Sequence, residues 1–291
     1  MSQKVWFITG SSRGFGRALV QAALAAGDLV VATARTPGQL DDVVAQYGEA
    51  IAPVALDVTD AAAARAAIET AVQRFGRIDV LVNNAGYSNV SPIETTDDAD
   101  FRTQFETNFW GVYNVTKAAL PQLRAQGGGL VVQFSSVGGR VGGSPGIASY
   151  QAAKFAVDGF SRVLAVETAP FGVQVMVVEP SGFATDWAGS SMTVRDIPEA
   201  YQQTVGAMNT RMRQTGSRPA GDPVRAAEII VAAAGRQNPP SHLLLGVNAV
   251  EMALAYSQAQ LAEAQAWERV SRSADFAEPY PAQQPADVAT R

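Results

Sequence analysis

Tyr150 and Lys154 are the pair in this sequence with the clearest chemical potential. They stand four positions apart near the start of an expected helix, 149–168, so their side chains share one face of it. A free tyrosine has a pKa of about 10, and a nearby ammonium group favours the phenolate. Such a tyrosine can exchange a proton with a substrate as a general acid or base. Taken alone, the pair is equally compatible with an ordinary helix surface.

Two further polar residues are candidates for the same chemistry. Ser136 follows an expected strand, 130–134, in the segment FSS, and Asn108 lies in the segment TNFWG. A serine hydroxyl can donate to an oxygen that gains negative charge during a reaction. Individually, a serine at a strand end and an asparagine within a helix are ordinary features, so their meaning depends on whether the fold brings them to Tyr150.

A glycine-rich stretch, TGSSRGFG (9–16), follows the apolar run VWFI and precedes an expected helix. A helix N-terminus presents free backbone N–H groups and favours negative charge, and glycine lets a phosphate approach closely. Gly10, Gly14 and Gly16 have the spacing G-x-x-x-G-x-G. This spacing is neither G-x-G-x-x-G nor the P-loop pattern. We predict a dinucleotide pyrophosphate here, and a tight turn without a ligand is the alternative.

Two arginines bear on the type of dinucleotide. Arg13 lies inside the glycine turn, and Arg35 follows Ala34 at the end of the second expected strand. Sites that prefer NAD usually carry a carboxylate there, whereas guanidinium groups suit a 2′-phosphate. We therefore predict NADP(H) as the preferred cofactor, with NAD(H) as the alternative. The alternative to a role in cofactor binding is that both are ordinary solvated arginines of the protein surface.

These residues need a scaffold, and the sequence predicts one in which short apolar runs alternate with alanine-rich helical segments. Continuous apolar strands such as VVQF and VQVMVV are typical of parallel strands buried on both faces. Asp60 and Gly76 are expected to cap the helix 61–75, and Pro121 to kink or end the helix 100–126. Expected strands cover 5–9, 29–34, 51–56, 79–82, 130–134, 173–178 and 243–246. Expected helices cover 14–26, 39–47, 61–75, 100–126, 149–168, 223–236 and 249–272.

Composition narrows the class of protein. The 291 residues carry a net charge of −5, are 47% hydrophobic and include no run of basic residues, so we expect no nucleic-acid or membrane partner. No apolar run reaches the roughly 20 residues of a spanning helix, and the N-terminus lacks a signal peptide, so a cytoplasmic protein is expected. There is no cysteine, and His242 is the only histidine. We expect His242 to be a surface or capping residue and expect no metal site.

In order along the chain, these motifs resemble those of the short-chain dehydrogenase/reductase family. The resemblance rests on TGxxxGxG at 9–16, NNAG at 83–86, Asn108, Ser136 and YxxxK at 150–154, and it runs from residue 4 to about 186. It implies an α/β fold: a Rossmann-like, doubly wound, seven-stranded parallel sheet in one domain, residues 1–275. The segment SSVGGR and the longer C-terminal part resemble the 17β-hydroxysteroid dehydrogenase-like branch.

The resemblance also implies roles for individual residues. Asn108, Ser136, Tyr150 and Lys154 would be the catalytic set, with Lys154 also holding the nicotinamide ribose and Asn108 kinking its helix and helping to hold a water. Asp57 and Val58 would flank the adenine. The residues expected to bind the cofactor are Gly10, Ser12, Arg13, Gly14, Phe15, Gly16, Arg35, Asp57, Val58, Asn84, Ala85, Gly86, Tyr150, Lys154, Pro180, Gly182 and Thr185.

The sequence departs from the family pattern at two places. Ser181 follows Pro180 where the family often has glycine, and a side chain there would be expected to perturb the turn. Tyr150 lies 14 positions after Ser136, one more than is common, and the segment GGSPGIAS (142–149) is expected to absorb the extra residue in a loop. If it does not, either Ser135 or Ser136 could be the working serine, and Ser136 is preferred.

The function implied is an NADP(H)-dependent oxidoreductase that interconverts an apolar ketone or aldehyde and the corresponding alcohol. A regulatory dinucleotide-binding protein without turnover and an epimerase or dehydratase on the same fold are the alternatives. Residues 183–220 are expected to form a substrate lid, an irregular connection being the alternative, and 276–291 a mobile tail. A homodimer or homotetramer is expected through the helices 100–126 and 149–168. The candidates to line the substrate pocket are Tyr87, Phe183, Trp187, Met192 and Met208.

Overall fold

A parallel β-sheet forms the centre of the molecule. The computed structural model describes residues 3–185, 192–217 and 221–278. Within these residues the sheet has seven strands in the order β3-β2-β1-β4-β5-β6-β7, and every pair of neighbours is parallel. The strands β1 to β7 are Val5–Ile8, Leu29–Ala34, Ile51–Ala55, Val80–Asn83, Gly129–Phe134, Val173–Pro180 and His242–Leu245.

Helices connect successive strands, as the alternating pattern of the sequence predicts. The structure confirms both expected caps of the third helix: the Asp60 side chain accepts from the N–H groups of Ala62 and Ala63, and Gly76 adopts the left-handed conformation with φ of 79°. The helices α1 to α10 are Gly14–Ala25, Asp41–Tyr47, Ala61–Phe75, Asp98–Phe105, Gly111–Ala125, Gly138–Val141, Ala148–Thr168, Ala207–Ser217, Pro223–Ala234 and Val247–Arg272.

The sheet is covered on both faces because its strands are apolar on both faces. In β1, Trp6 and Ile8 pack in a core with residues of α1 and α9, whereas Phe7 points to the opposite core, formed with α3, α5 and α7. Successive side chains of a strand point to opposite faces, so one uninterrupted apolar strand supplies both cores. A fully buried side chain of this kind contributes about 1.5–3 kcal/mol to stability relative to its exposed state. The described residues thus form a single Rossmann-like domain.

The order of the strands creates a crevice. The chain moves from β1 outward to β3 on one side and then returns to place β4 on the other side of β1. Ligands of doubly wound sheets bind at the carboxyl ends of the strands beside such a reversal. The glycine turn follows β1, residues 84–86 follow β4, and Ser135 and Ser136 follow β5, so the motifs lie along this edge.

The helix expected over 100–126 is interrupted. α4 ends at Phe105, a single π-helical segment spans Glu106–Trp110, and α5 continues to Ala125. The expected end at Pro121 is not observed, because α5 runs through that residue. Proline has no N–H, so the backbone carbonyl of Lys117 lacks its helical hydrogen-bond donor. Lys117 and Pro121 are both exposed, so water can donate to that carbonyl instead.

The C-terminal third is less tightly packed than the sheet. Residues 192–198 are largely extended, 199–206 form short 3₁₀ and π turns, and α8 follows. α10 buries Ala249 and Ala253 near its start and exposes Leu261 and Trp267 further along. Within the described chain, no helix combines the length and apolarity needed to cross a membrane. The expected mobile tail, 276–291, lies outside the described residues from 279 onward.

Candidate active site

Tyr150, Ser136 and Lys154 come together at the carboxyl edge of the sheet. Tyr150 lies in the first turn of α7 and shares a hydrogen bond with Ser136. The Nζ atom of Lys154 lies 5.6 Å from the centre of the Tyr150 ring and donates to the carbonyl oxygen of Phe134 at 2.6 Å. The lysine therefore links α7 to the end of β5, and its ammonium group lies beside the tyrosine.

The structure distinguishes the two serines. The Ser135 hydroxyl is buried and donates to the backbone carbonyl of Lys154 at 3.0 Å, so it fastens α7 to the sheet. Ser136 faces the crevice, where its Oγ meets Tyr150 and accepts from the N–H of Gly138 at 3.0 Å. Residues 142–147 form a loop between α6 and α7, the place where the sequence predicts the extra residue.

The ionisation of this pair differs from the sequence-based expectation. Burial raises the pKa of Tyr150 to about 12, and the hydrogen bond from Ser136 only partly opposes that rise. Burial also lowers the pKa of Lys154 to about 8. Desolvation penalises the charged form of each group, which is the phenolate of a tyrosine and the ammonium of a lysine. Burial therefore outweighs the lowering of the tyrosine pKa that the sequence predicts from Lys154, and Tyr150 is a neutral phenol at neutral pH.

Asn108 occupies the π-helical break between α4 and α5. Its Nδ2 donates to the carbonyl oxygens of Tyr87 and Gln104, both at 2.8 Å, and its Oδ1 accepts from the N–H of Tyr87 at 3.1 Å. A β-carbon on Gly86 would lie 2.5 Å from Asn108 Oδ1 and 3.5 Å from Lys154 Nζ. Asn108 thus lies close to Lys154, and the helix is irregular where the asparagine side chain bonds the neighbouring loop.

The glycine turn between β1 and α1 is fixed from across the sheet. Gly10 and Gly14 adopt positive φ values of 66° and 54°, which favour glycine. The Thr9 hydroxyl accepts from the N–H groups of Asn84 and Ala85 at 3.0 and 3.1 Å. The Asn84 side chain donates in turn to the carbonyls of Thr9 and Gly10 at 2.9 and 3.1 Å. The NNAG segment therefore holds the turn in place.

This turn fits a dinucleotide phosphate. A β-carbon on Gly16 would lie 2.1 Å from the carbonyl oxygen of Gly10, so the backbone is packed more tightly than any other residue allows. Arg13 precedes α1 in an extended conformation, and its side chain does not cap the helix. A helix N-terminus without a capping side chain leaves N–H groups for an anion, which the helix dipole favours.

The residues expected around the adenosine lie on the exposed side of this turn. Arg13 and Arg35 are exposed, and neither forms an ion pair with a described residue. Asp57 is exposed and accepts from the N–H and hydroxyl of Thr59, whereas Val58 is buried. The structure thus places a cationic rim at this end of the crevice.

The other expected cofactor contacts extend along the crevice. Ser12 is half-buried in the turn, and the Phe15 ring packs beneath it against Phe134 and Phe183, with ring centres 5.5 and 4.9 Å away. Thr185 lies against Gly14, where a β-carbon would be 3.5 Å from the threonine Cβ. The segment from Pro180 to Thr185 therefore extends from the end of β6 to the glycine turn after β1.

Ser181, the departure from the family pattern, is accommodated. Its N–H donates to the carbonyl of Leu245 at 3.1 Å, and its hydroxyl lies 3.4 Å from the same oxygen. A β-carbon on Gly246 would lie 2.6 Å from the Ser181 hydroxyl. The expected perturbation is absorbed because the adjacent residue, Gly246, has no side chain.

The expected lid packs over Tyr150. Val90, Ile147, Tyr150 and Val205 form a small buried cluster against which residues of 192–212 pack, including Met192 and Met212. The segment is held by a parallel bridge between Val90 and Val194. The region thus covers Tyr150 with aliphatic side chains.

The residues expected to line the substrate pocket fall into different places. Met192 lies in the cluster over Tyr150, and Tyr87 is half-buried beside Asn108. Phe183 instead packs against Phe15 and the core on the α1 side of the sheet, so it belongs to the support of the cofactor crevice. Met212, rather than Met208, packs against the cluster. Trp187 lies outside the described residues.

Several residues that shape the site were not singled out from the sequence. Gln104 accepts from the N–H of Asn89 at 2.8 Å, and Asn89 Oδ1 accepts from the N–H of Thr193 at 3.1 Å. Asn89 Nδ2 also donates to Asp100 at 2.7 Å. These polar side chains join α4, the loop after NNAG and the lid. Of these residues, only Asn89 could have been suspected from the sequence, because it is a polar residue that follows Asn83 by six positions, in the loop at the edge of the sheet.

The chain is similar to a known family over most of its length. The family model described as short chain dehydrogenase matches residues 4–195. An oxidoreductase of Botryotinia fuckeliana is 48% identical over 269 residues, which cover 92% of this chain and 98% of that protein. The 3-ketodihydrosphingosine reductase of Bacteroides thetaiotaomicron is 33% identical over 251 residues, covering 84% and 89% of the two chains.

Solved structures agree with the sequence matches. A short-chain dehydrogenase from Streptomyces avermitilis superposes with a TM-score of 0.87 at 41% identity, covering 94% of this chain and all of that one. The 3-ketoacyl-(acyl-carrier-protein) reductase of Brucella melitensis complexed with NADH has a TM-score of 0.67 at 26% identity, covering 83% and 96%. ElxO with NADP bound has a TM-score of 0.71 at 28% identity, covering 86% and 100%.

Proposed function

We propose that this chain, which belongs to the short-chain dehydrogenase/reductase family and is an oxidoreductase, reversibly reduces an apolar ketone or aldehyde to the alcohol with NADPH. The observation that carries the proposal is the hydrogen-bonded pair Tyr150–Ser136, with Lys154 beside it, in the crevice that also holds the glycine turn. Proton-transfer groups and an anion-binding turn at one edge suit carbonyl–alcohol chemistry.

Tyr150 is proposed as the general acid of the reduction. Since burial raises its pKa to about 12, the phenol keeps its proton at neutral pH and can donate it to the oxygen of a carbonyl. The alcohol is then the product that leaves. In the reverse direction the same oxygen must accept a proton, so oxidation is expected to be favoured at high pH.

Ser136 is proposed to orient the carbonyl oxygen. Its hydroxyl already lies within hydrogen-bonding distance of Tyr150, so a substrate oxygen between the two would meet two donors. Such preorganised donors stabilise negative charge as it develops on the oxygen. Ser135 is turned away to the carbonyl of Lys154 and takes a supporting role.

Lys154 and Asn108 are proposed to maintain the electrostatics of the site. The ammonium group of Lys154 beside Tyr150 would offset negative charge on the tyrosine oxygen after it has given up its proton. Asn108, fixed by three hydrogen bonds in the π-helical break, is close enough to Lys154 to share a water with it. That water would return the proton to the tyrosine.

The residues present fit a dinucleotide, whose nicotinamide would supply or accept the hydride. The N–H groups of the turn from Gly10 to Gly16 would hold the pyrophosphate. Asp57 and Val58 would flank the adenine, Asn84, Ala85 and Gly86 would line a ribose, and Lys154 would hold the nicotinamide ribose. Pro180, Gly182 and Thr185 would meet the nicotinamide end.

NADP(H) is proposed as the preferred form. Arg13 and Arg35 provide two exposed guanidinium groups without ion-pair partners among the described residues, and a 2′-phosphate accepts bidentate hydrogen bonds from such groups. Structural neighbours have been solved with NADH and with NADP, so similarity alone does not select between the two.

An apolar substrate is proposed because aliphatic side chains cover Tyr150. Val90, Ile147, Val205 and Met192 surround it on the lid side. Burial of apolar substrate area against them would favour binding at about 25 cal/mol per Å². The name of the Bacteroides relative, a ketodihydrosphingosine reductase, is consistent with a ketone that carries an apolar chain.

The first test is turnover of a panel of apolar ketones and aldehydes with NADPH, followed by loss of cofactor absorbance. Wild type is expected to reduce at least one of them, and Tyr150→Phe to lose about 10³-fold in kcat, the usual scale for removing a general acid, while retaining NADPH binding. Unchanged turnover in Tyr150→Phe would remove the tyrosine from the mechanism. Cofactor binding without turnover of any compound would favour a regulatory dinucleotide-binding protein.

A second test concerns the cofactor. We expect NADPH to bind at least about tenfold more tightly than NADH, or about 1.4 kcal/mol, and Arg35→Ala to remove that difference. Titration by energy transfer from protein to nicotinamide fluorescence would measure both affinities. Lys117→Ala, which removes an exposed cation of α5, is the matched control. Equal affinities in the wild type would leave the NADP preference without support.

Two expectations about the setting of this activity stay predictions. We expect a homodimer or homotetramer through the helices around 98–125 and 148–168, where α7 exposes Phe155, Val163 and Val166. We also expect the protein in the cytoplasm.

A further inference from the structure

Three side chains with metal-ligand chemistry converge between α7, β6 and β7, one helical turn along α7 from Lys154. Asp158 of α7, Glu179 of β6 and His242 of β7 each offer one ligand atom, and these atoms all lie within 4.8 Å of one another. His242 is the only histidine of the chain. The sequence analysis expects no metal site, since the chain has no cysteine and only one histidine.

Glu179 is the strongest indication that the cluster holds a ligand. Its side chain is fully buried, and its Oε2 accepts from Arg140 Nε at 2.9 Å. Its other oxygen, Oε1, is also buried and has no hydrogen-bond partner within the described part of the chain. A buried carboxylate oxygen without a partner is destabilising, because it has lost its hydration without gaining a donor, so one is expected to have a donor or a cation.

Asp158 and His242 complete the set on the side nearer solvent. Nε2 of His242 lies 2.7 Å from Asp158 Oδ1, and both side chains are less than one-fifth exposed. The other carboxylate oxygen of Asp158, Oδ2, accepts from Arg162 Nε at 2.8 Å.

Two arginines also face the cluster and set its charge. Arg140 pairs with the Oε2 atom of Glu179, which leaves Oε1 free. Arg162 contacts Asp158 at 2.8 Å and His242 at 3.2 Å, but its side chain is more than half exposed and lies on the same helix as Asp158. It can therefore turn to solvent, after which the three donors and Arg140 together carry one net negative charge.

We propose that Asp158, Glu179 and His242 bind one divalent transition-metal ion of the Zn²⁺ class. One imidazole nitrogen and two carboxylate oxygens are ligands that Zn²⁺ accepts, and a tetrahedral ion with three protein ligands completes its shell with water. The metal would take the place of the Arg162 contacts and satisfy the free oxygen of Glu179.

The position of the site indicates a structural role. Glu179 immediately precedes Pro180, and Asp158 lies one helical turn after Lys154. An ion here would tie α7, β6 and β7 together behind the Pro180–Thr185 segment, without touching Tyr150. The proposal does not depend on the oxidoreductase activity, and its test uses binding alone.

The test uses the full chain without a polyhistidine tag, freed of metal with a chelator and titrated with Zn²⁺. Since the chain has one histidine, ¹⁵N labelling of histidine gives a single pair of imidazole signals, and these report directly on the proposed ligand. We expect one saturable site in calorimetry, a shift of the imidazole signals at the same stoichiometry, and a rise in melting temperature.

Variants make the result specific. Glu179→Gln and His242→Gln are each expected to weaken Zn²⁺ binding at least about tenfold, whereas Glu263→Gln on the exposed face of α10 should bind as wild type does. If Glu179→Gln does not fold, His242→Gln and the wild-type imidazole signals still decide the question. Absence of saturable binding at micromolar Zn²⁺, or imidazole signals that do not move, would show a hydrogen-bonded cluster only and overturn the proposal.

Discussion

The two sides of the crevice are built in different ways. The floor, which we define as residues 9–16, 83–86 and 135–154, follows the ends of the strands and is fixed by short bonds between backbone and buried side chains. The lid, residues 192–217, packs on the floor through an aliphatic cluster that includes Ile147 and Tyr150. It is otherwise held by the neighbouring loop, through a bridge between Val90 and Val194 and a hydrogen bond from the N–H of Thr193 to Asn89.

This difference has a chemical meaning. Groups that transfer protons or hold phosphates need fixed positions, and the rigid ends of the strands provide them. A wall that contacts an apolar substrate needs only suitable volume and hydrophobicity, and several side chains meet that requirement. We therefore expect substitutions in the floor to have large effects on chemistry and cofactor binding, and substitutions in the lid to have small effects on substrate binding.

The largest effect is expected at the tightest point of the floor. In Gly16→Ala, the new β-carbon would lie 2.1 Å from the carbonyl oxygen of Gly10 and 2.5 Å from Asn84 Nδ2, so the turn must move. We expect the dissociation constants of NADPH and NADH to rise by at least about 100-fold, which is about 2.7 kcal/mol. Fluorescence titration of both cofactors measures this change.

The control for this substitution lies in α7. A β-carbon added to Gly159 would have no neighbouring atom within 4 Å, and the φ of this residue is ordinary for a helix. Gly159→Ala should leave cofactor binding unchanged and stabilise the fold by up to about 1 kcal/mol. Tight cofactor binding by Gly16→Ala would mean that the turn tolerates movement, and the contrast between a rigid floor and a soft lid would then be lost.

The next effect concerns the ionisation of the floor. Because burial lowers the pKa of Lys154 to about 8, this lysine loses its charge as the pH rises through that value, while Tyr150 keeps its proton to about pH 12. We expect kcat/KM for reduction, which reports the pKa values of the free enzyme, to fall about tenfold per pH unit above pH 8, the behaviour of one essential protonated group.

Stability should move in the opposite direction over the same range. The pKa of Lys154 is about 8 in the folded protein and 10.5 for the free group, so between these values the unfolded chain binds more protons. The contribution of Lys154 to the free energy of unfolding therefore increases with pH in this window. Activity and chemical denaturation, each measured from pH 7 to 10, would test the expected fall in rate and the expected rise in the free energy of unfolding. Lys117→Met is the control. A flat rate profile to pH 10 would contradict the assignment.

The smallest effect is expected in the lid. The Tyr201 hydroxyl donates to Glu94 at the surface, and Tyr201→Phe removes that bond. Exposed pairs of this kind contribute little because solvent screens them, so we expect KM for the substrate to rise only about two- to threefold, with kcat and the cofactor affinities unchanged. Tyr256→Phe in α10 is the matched control. A loss of kcat as large as that of a floor variant would show that the lid positions the chemistry.

Much of the fold could be predicted because its causes are local. Uninterrupted apolar strands, alanine-rich helices, the cap at Asp60 and the positive-φ glycine at Gly76 are each readable within a few residues, and the structure confirms them. The interruption at Asn108 could not be predicted from periodicity, because it depends on hydrogen bonds to Tyr87 in another segment. The continuation of α5 through Pro121 depends on which face of the helix meets water.

The candidate site divides in the same way. The types and order of its residues, from the glycine turn to Tyr150 and Lys154, can be read along the chain, because proton transfer needs particular side chains and close approach to a phosphate needs glycine. Three outcomes instead required the folded structure: Ser136 rather than Ser135 faces the tyrosine, burial raises the pKa of Tyr150, and Asp158 meets His242 across 84 residues. These outcomes depend on which surfaces are removed from water and which segments pack together, and both are properties of the folded chain.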